Sequence, residues 1–530
     1  MVVLTSGGVG VFVGAQRGQE AGQHLSPKSR GCSLDVSKRG AGVAQQQLVL
    51  SSKAVPSGRR GKRRVARASA EGEGPHLQPA RGRVGGHGRR AGVACSAAAE
   101  GSDGASTSGR QRRVVVTGLG VVSCLGDDVP QFYERLLSGE SGVGRITEWD
   151  AETLTPPTTI GGEIKGYAAE EKYVDKKSAR RLDDYLKYAL VAGKKAVEDA
   201  GLDVEDAEGR LDKQRAGILV GSAMGGMQVY ADAVSALNIG PRKMSPFCIP
   251  FSITNMGSSL LAIDLGYMGP NYPINTACAT GNYTIYNAAE HIFKGDSDVM
   301  LAGGSDAACI PTGIAGFIAC KALSKRNDDP QSASRPWDKG RDGFVMGEGA
   351  GVLVLEELEH AKARGARIYA EYIGGAVTCD AHHMTEPQPE GKGVGRCIEL
   401  AMANAGVTPA DVTYINAHAT STPAGDMAEV RAIKSAFKGE VAHLKVNATK
   451  SMLGHSLGAA GALEAVVLVK ALETGWLHPS LNLENPEPEI EGIDTCAGGK
   501  VKADPQIGLS NSFGFGGHNS AVIFKRWNGE

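Results

Sequence analysis

The chain has 530 residues, 57 Lys and Arg against 58 Asp and Glu, and 42% hydrophobic residues. That balance excludes a uniformly basic nucleic-acid-coating protein and a chain too polar to build a core, and the length allows more than one packed unit. The eight cysteines from Cys124 onward form no CxxC pair and no metal-ligand spacing, so they read as reduced thiols in a reducing compartment.

The first hundred residues differ from the rest. They hold 16 Lys and Arg against 5 Asp and Glu, are rich in Gly, Ser, Ala and Gln, and contain no long apolar run. This argues against a membrane span or a secretory segment and predicts an organelle transit peptide over 1–100. The alternative is a disordered basic tail for nucleic acid, but the arginines alternate with Gly and Ser rather than with aromatics. Without this leader the body, about 430 residues, carries about −12 against the whole chain's −1, which disfavours general attraction to nucleic acid and leaves enough chain for two packed halves.

Along the body, strand-like apolar runs alternate with helical patterns, at 114–116, 218–220, 299–302, 352–355, 368–373, 412–415, 444–446 and 521–524. Such alternation predicts an α/β fold with mainly parallel sheets. After the first run, Thr117-Gly118-Leu119-Gly120-Val121-Val122-Ser123 begins like a dinucleotide-binding fingerprint. The third glycine is missing and no acidic residue ends a following strand, so nicotinamide binding is not expected.

Cys278 follows the short apolar stretch Tyr272-Pro273-Ile274 and precedes a helical pattern with Ile285, Ala288, Ala289, Ile292 and Phe293 on one face. A helix N-terminus is predicted there, and its positive end favours the thiolate. A lone buried cysteine is the plainer reading, and the rest of the chain opposes it. His418 leaves a strand-like run into a Thr/Pro/Gly loop, placed to point into a pocket. His455 sits in a small-residue stretch, from Asn447 to Gly461, that lets a helix pack closely. Each histidine alone is as compatible with a structural role as with a catalytic one. Asn511-Ser512-Phe513-Gly514-Phe515-Gly516-Gly517-His518-Asn519 reads as a mobile glycine-dense loop whose backbone N–H groups can approach an oxyanion. The surroundings of Cys278 (274–294) and of His455 (446–470) correspond in kind, which points to an internal duplication.

With these four segments in this order, residues 112–525 resemble the β-ketoacyl-acyl carrier protein synthases of types I and II, elongating condensing enzymes of the thiolase superfamily. Supporting runs are Ser334-Arg335-Pro336-Trp337-Asp338, Asp342 to Gly351, and Thr378 to Thr385. The resemblance implies a thiolase-like αβαβα five-layer sandwich with halves at 112–360 and 366–528, usually as a homodimer. It implies a decarboxylative Claisen condensation of an acyl-enzyme with malonyl-acyl carrier protein, with no cofactor, no metal, no membrane span and no nucleic acid. Cys278 would be the nucleophile, His418 and His455 donors to the decarboxylation oxyanion, and Lys450 and Glu464 a buried pair near the second histidine. Phe515 would give an oxyanion N–H and, with Phe513, gate acyl entry; Thr420 and Thr422 would support the site, and Met224 would floor the acyl pocket. Arg180, Arg181, Arg242, Lys243 and Lys321 would form the landing patch for the acidic carrier. Ala419 replaces a glycine common in bacterial members. The plastid stroma is the implied location, Val93 to Ala97 resembling a processing site.

Two other readings compete. A cysteine hydrolase using Cys278 and His418 leaves Lys450, His455 and the Phe515 segment unexplained. A silent chain-length partner subunit typically lacks the active cysteine that is present here.

Overall fold

The computed structural model describes residues 112–154, 158–202 and 211–529, so the leader 1–100 lies outside the described residues. Nine strands join in one sheet: β1 (Val114–Ser123), β2 (Ala216–Gly221), β3 (Val299–Asp306), β4 (Gly349–Glu357), β5 (Ala370–Cys379), β6 (Tyr414–Asn416), β7 (Lys445–Asn447), β8 (Ile507–Gly514) and β9 (His518–Arg526). Their order is β2-β3-β4-β1-β5-β9-β8-β6-β7. Each of the eight apolar runs overlaps a strand.

The expectation of mainly parallel sheets is wrong. Only β2 with β3, β6 with β8 and β6 with β7 pair in parallel, and the five pairings in the middle are antiparallel. One cause is the tight β8–β9 hairpin, since a short turn can only return a strand antiparallel to its predecessor. That hairpin also corrects the reading of 511–519 as a mobile loop. Its strands pair from Ile507 with Lys525 to Gly514 with His518, and only Phe515, Gly516 and Gly517 turn. Gly516 and Gly517 have φ of 89° and 76°, a region that side chains other than glycine's rarely adopt.

The sheet is two matched half-sheets meeting at a seam of three residue pairs, Val114 with Tyr372 through Val116 with Ala370. Outward from the seam the order is β1, β4, β3, β2 on one side and β5, β9, β8, β6 on the other, with the same sequence of antiparallel, antiparallel and parallel pairings. Beyond β2, Asn271 bridges Ile218 in parallel, and beyond β6 lies β7. These outermost segments lead to Cys278 and to Lys450 respectively.

The main helices are α1 (Asp184–Asp199), α2 (Met227–Ile239), α3 (Met256–Leu265), α4 (Thr280–Lys294), α5 (Pro311–Ala319), α6 (Lys392–Asn404), α7 (Pro423–Ala436) and α8 (Ala460–Thr474). Helices α4 and α8 form the middle layer, where Ile285, Ile292, Leu463 and Val467 pack with Val114 and Leu353 of one half-sheet and Val522 and Phe524 of the other. A helix covered on both sides should be apolar all round, and α8 has 12 buried residues among its 15. Outer layers complete the five: α1 and α3 against β2, β3 and β4, and α6 and α7 against β6, β8 and β9.

The glycines of the discarded dinucleotide motif have a packing role. A Cβ on Gly118 would lie 2.2 Å from the carbonyl oxygen of Ala196, and one on Gly120 would lie 1.9 Å from that of Ala192. Both oxygens belong to α1, so these glycines let the helix lie directly on β1. Gly120→Val is expected to lower stability by about 3 kcal/mol, the upper range for overpacking against rigid backbone, measured by chemical denaturation.

Candidate active site

Cys278 stands between the outermost segment of the first half-sheet and α4. The preceding Ala277 has φ of 50°, a strained value for a non-glycine residue, of a kind that costs about 1–3 kcal/mol. Thr280 holds this turn: its hydroxyl donates to the Ala277 carbonyl at 2.7 Å and accepts the Thr276 N–H at 2.9 Å. The β8–β9 turn lies against it, so that a Cβ on Gly514 would sit 2.7 Å from the Cys278 nitrogen. The backbone N–H groups of Cys278 and Phe515 lie near enough to the sulfur to favour its anion.

The expectation of a favoured thiolate is not met in the resting site. Burial pushes the Cys278 thiol up to about 12. The Lys450 charge and the two N–H groups pull it down, and they are outweighed because removal from water penalises the anion more than these donors favour it.

His418 follows β6, at the start of a loop in which Ala419 and Ser421 have φ of 36° and 66°. That backbone explains why a glycine suits position 419. Glu429 of α7, which no sequence signature marks, clamps this loop. Its two oxygens accept the N–H groups of His418 at 2.7 Å and Ala419 at 2.8 Å, and Oε1 also accepts the Asn511 amide of β8 at 2.8 Å. Burial pushes the Glu429 carboxyl up to about 7. Asp426 does similar work below it, accepting the N–H groups of Ser421 and Trp337.

Lys450 and Glu464 form the expected buried pair, Nζ to Oε1 at 2.5 Å, with side chains 3% and 2% exposed. Burial raises the Glu464 carboxyl and the Lys450 charge pulls against it. The pair's hydrogen-bond contact is with the first histidine: Lys450 Nζ lies 3.3 Å from His418 Nδ1. An ammonium has only donors, so Nδ1 accepts and the proton of a neutral ring sits on Nε2.

His455 is held through its backbone, its N–H donating to the Val345 carbonyl at 2.7 Å and its carbonyl accepting the Gly347 N–H at 3.0 Å. The two imidazoles meet edge to face, centroids 5.3 Å apart, and Phe513 lies 4.4 Å from His418. Burial, then the Lys450 charge, holds both histidines well below the ordinary value, and His455 adds to the effect on His418. Both rings are therefore neutral at physiological pH.

Cys278, His418, His455, Thr420, Thr422, Phe513 and Phe515 line one cavity of about 390 Å³, with Lys321 and Phe344. The hydroxyls of Thr420 and Thr422 are 3.0 Å apart. Met224 does not line this cavity; its N–H donates to Asp306 at 2.9 Å and its side chain joins the apolar cluster of Phe344, Met346 and Leu457 that Cys278 also touches. Arg180, Arg181, Arg242, Lys243 and Lys321 are all exposed. The Arg181 guanidinium stands 5.4 Å from the Phe247 ring, which brings the 180–181 pair beside the 242–247 segment. Among the described residues, no group of three or more His, Cys, Asp and Glu is arranged to hold a metal ion. Such a set can arrange hydrogen-bond donors around a thioester.

Residues 111–361 match the model of the β-ketoacyl synthase N-terminal domain and residues 369–484 that of its C-terminal domain. The chain is 60% identical over 415 residues to 3-oxoacyl-[acyl-carrier-protein] synthase I, chloroplastic, of Arabidopsis thaliana, covering 78% of this chain and 86% of that one. It is 58% identical over 414 residues to the chloroplastic synthase II of the same plant, covering 78% and 76%. Among solved structures, a β-ketoacyl synthase from Burkholderia phymatum matches with a TM-score of 0.73 at 34% identity, over 79% of this chain and all of that one. A ketosynthase in complex with its type II PKS acyl-carrier protein, bound to the hexaketide, matches with a TM-score of 0.72 at 32% identity over the same shares.

The raised thiol has a direct readout. Alkylation of Cys278 by iodoacetamide, followed by peptide mass spectrometry, should keep rising about tenfold per pH unit past pH 9, where an ordinary thiol levels off. A plateau near pH 7 would show a resting thiolate instead.

Proposed function

We propose that the chain, which belongs to the β-ketoacyl synthase family, is a plastid 3-oxoacyl-[acyl-carrier-protein] synthase that elongates fatty acyl chains by decarboxylative condensation. The observation that carries this reading is one cavity holding a thiol under two backbone N–H groups and two neutral imidazoles, one with its Nδ1 committed to a buried lysine.

In the first stage Cys278 attacks the thioester carbon of an acyl-loaded carrier. The oxyanion forms under the N–H groups of Cys278 and Phe515, and the carbon–sulfur bond to the carrier breaks. The cysteine proton ends on the departing carrier thiol, so the acyl-enzyme forms without a net proton change. In the second stage the malonyl thioester loses carbon dioxide. The electron pair left behind becomes an enolate whose oxygen receives hydrogen bonds from His418 Nε2–H and the His455 ring N–H. The enolate carbon attacks the acyl-cysteine, the carbon–sulfur bond breaks, and the Cys278 sulfur takes up one proton. Two ring N–H donors suit this step, because no proton is removed from the malonyl carbon and charge builds on the thioester oxygen.

The partner is acyl carrier protein, with Arg180, Arg181, Arg242 and Lys243 as its landing patch and Lys321 at the cavity mouth. Tyr230, Val234, Leu237 and Ile239 of α2, with Ile249 and Ile263, are exposed apolar residues. An apolar face of this kind supports a homodimer. The repeated strand order supports halves at 112–360 and 366–528. The basic leader and the chloroplastic relatives support delivery to the stroma: residues 1–100 fused to a fluorescent reporter should accumulate there, and cytosolic fluorescence would refute it.

Cys278→Ala should abolish condensation at nearly unchanged stability. His418→Ala or His455→Ala should slow carbon dioxide release from malonyl-loaded carrier by about 100- to 1,000-fold, the effect of losing an oxyanion donor. Acyl transfer to Cys278 should continue in both and rise with pH, because deprotonation limits it. Single-turnover labelling with radioactive acyl-loaded carrier, beside a carbon dioxide assay, measures the two steps. Loss of both steps in parallel would show that the histidines serve the thiol.

A further inference from the structure

The two histidines are oriented by different means. His418 Nδ1 faces Lys450 Nζ at 3.3 Å. His455 Nδ1 is buried without a hydrogen-bond partner among the described residues. A working imidazole usually has its rotation fixed by a hydrogen bond to the nitrogen that is not reacting, and here that device is missing. Backbone bonds to Val345 and Gly347 place the Cα of His455 but leave the ring free to rotate about its own bond.

Rings take the place of the missing bond. The Phe344 ring meets the His455 imidazole at 5.2 Å between centroids and 77° between planes, and His418 meets it at 5.3 Å and 90°. Phe344 is itself fixed. Its N–H donates to the Ala322 carbonyl at 3.0 Å and its carbonyl accepts the Ser324 N–H at 2.9 Å. Its ring packs at 5.5 Å and 76° against Phe317, which in turn lies 6.3 Å from Phe515. A fixed aromatic edge restricts a neighbouring planar ring to few rotations, which an aliphatic side chain of similar volume does not do.

We propose that Phe344 is a positioning residue for decarboxylation, its ring holding the His455 imidazole in the rotation that aims a ring N–H at the thioester oxygen. This rests on the reading of His455 as an oxyanion donor. Phe344 touches the imidazole and acts through it.

The test uses the full chain with Phe344→Leu, Phe344→Met and Phe344→Tyr, comparing carbon dioxide release from malonyl-loaded carrier with single-turnover acylation of Cys278. In Phe344→Leu the ratio of decarboxylation to acylation should fall about 10- to 100-fold, the scale of a misaligned catalytic group, through kcat with KM for the malonyl carrier nearly unchanged. Phe344→Tyr keeps the ring and should restore most of the ratio. In nitrogen-15 spectra the His455 ring should give one sharp N–H signal in the wild type and Phe344→Tyr, and a broadened one in Phe344→Leu. Should Phe344→Leu fail to fold, judged by its thermal transition, Phe344→Met carries the same comparison. An unchanged ratio, a parallel fall of both steps, or a Tyr variant no better than Leu would overturn the proposal. A wild type that releases no carbon dioxide would instead overturn the condensation reading itself.

Discussion

The ammonium of Lys450, sealed between β7 and α8, is the constraint on which the rest of the site depends. An unpaired charge at that depth is prohibitive, so Glu464 must be present, and breaking such a pair typically costs about 3–5 kcal/mol. Glu464 can meet it only because α8 is clamped between two half-sheets and cannot shift. Once the pair is fixed, the ammonium decides which nitrogen of His418 carries the proton, depresses the basicity of both rings and opposes the burial of the Cys278 thiol. A single cation thereby bears on the protonation of three side chains, second in each case to burial.

The duplicated architecture explains how such a site can be assembled. In each half the outermost strand segment of the sheet runs into a turn and then toward a middle-layer helix. One copy of this arrangement delivers Cys278 just before α4; the other delivers Lys450 and His455 ahead of α8. These equivalent ends meet, so Cys278 and His455 line one cavity. The small residues around Cys278 and His455 let α4 and α8 approach closely: a Cβ on Gly281 would sit 2.4 Å from the Ala462 nitrogen.

Much of this was legible in the residues. Cys278, His418, His455 and Phe515, which line one cavity, and Lys450 beside His418 stand out in the sequence because chemistry restricts residue type and the thiolase-like pattern restricts order. Glu429 was not, since its work is to accept backbone N–H groups, and a buried glutamate in an amphipathic helix carries no mark of that use. Phe344 reads simply as an apolar position within the Asp342 to Gly351 run, because ring-to-ring angle is a tertiary quantity. The thiol's protonation was misjudged because a helix N-terminus is visible in spacing whereas depth of burial is not. The pairing sense of the sheet is not legible because alternation of strands and helices records connections, and the antiparallel centre arises from one hairpin and from segments distant in sequence.

The β8–β9 hairpin occupies the interior of its half-sheet, between β5 and β6, yet it is the last regular structure in the chain. On the ribosome, Cys278 therefore emerges well over two hundred residues before the segment that provides Phe515. Until that hairpin inserts, β5 and β6 have an open slot between them, and Cys278 lacks the Phe515 N–H beside it. Chains emerge at about 5–20 residues per second, so the nascent polypeptide spends some tens of seconds with a thiol but no complete site. The interior of that half-sheet is complete only with residues 507–526 in place, so a chain truncated before residue 507 keeps Cys278 but lacks the Phe515 N–H beside it.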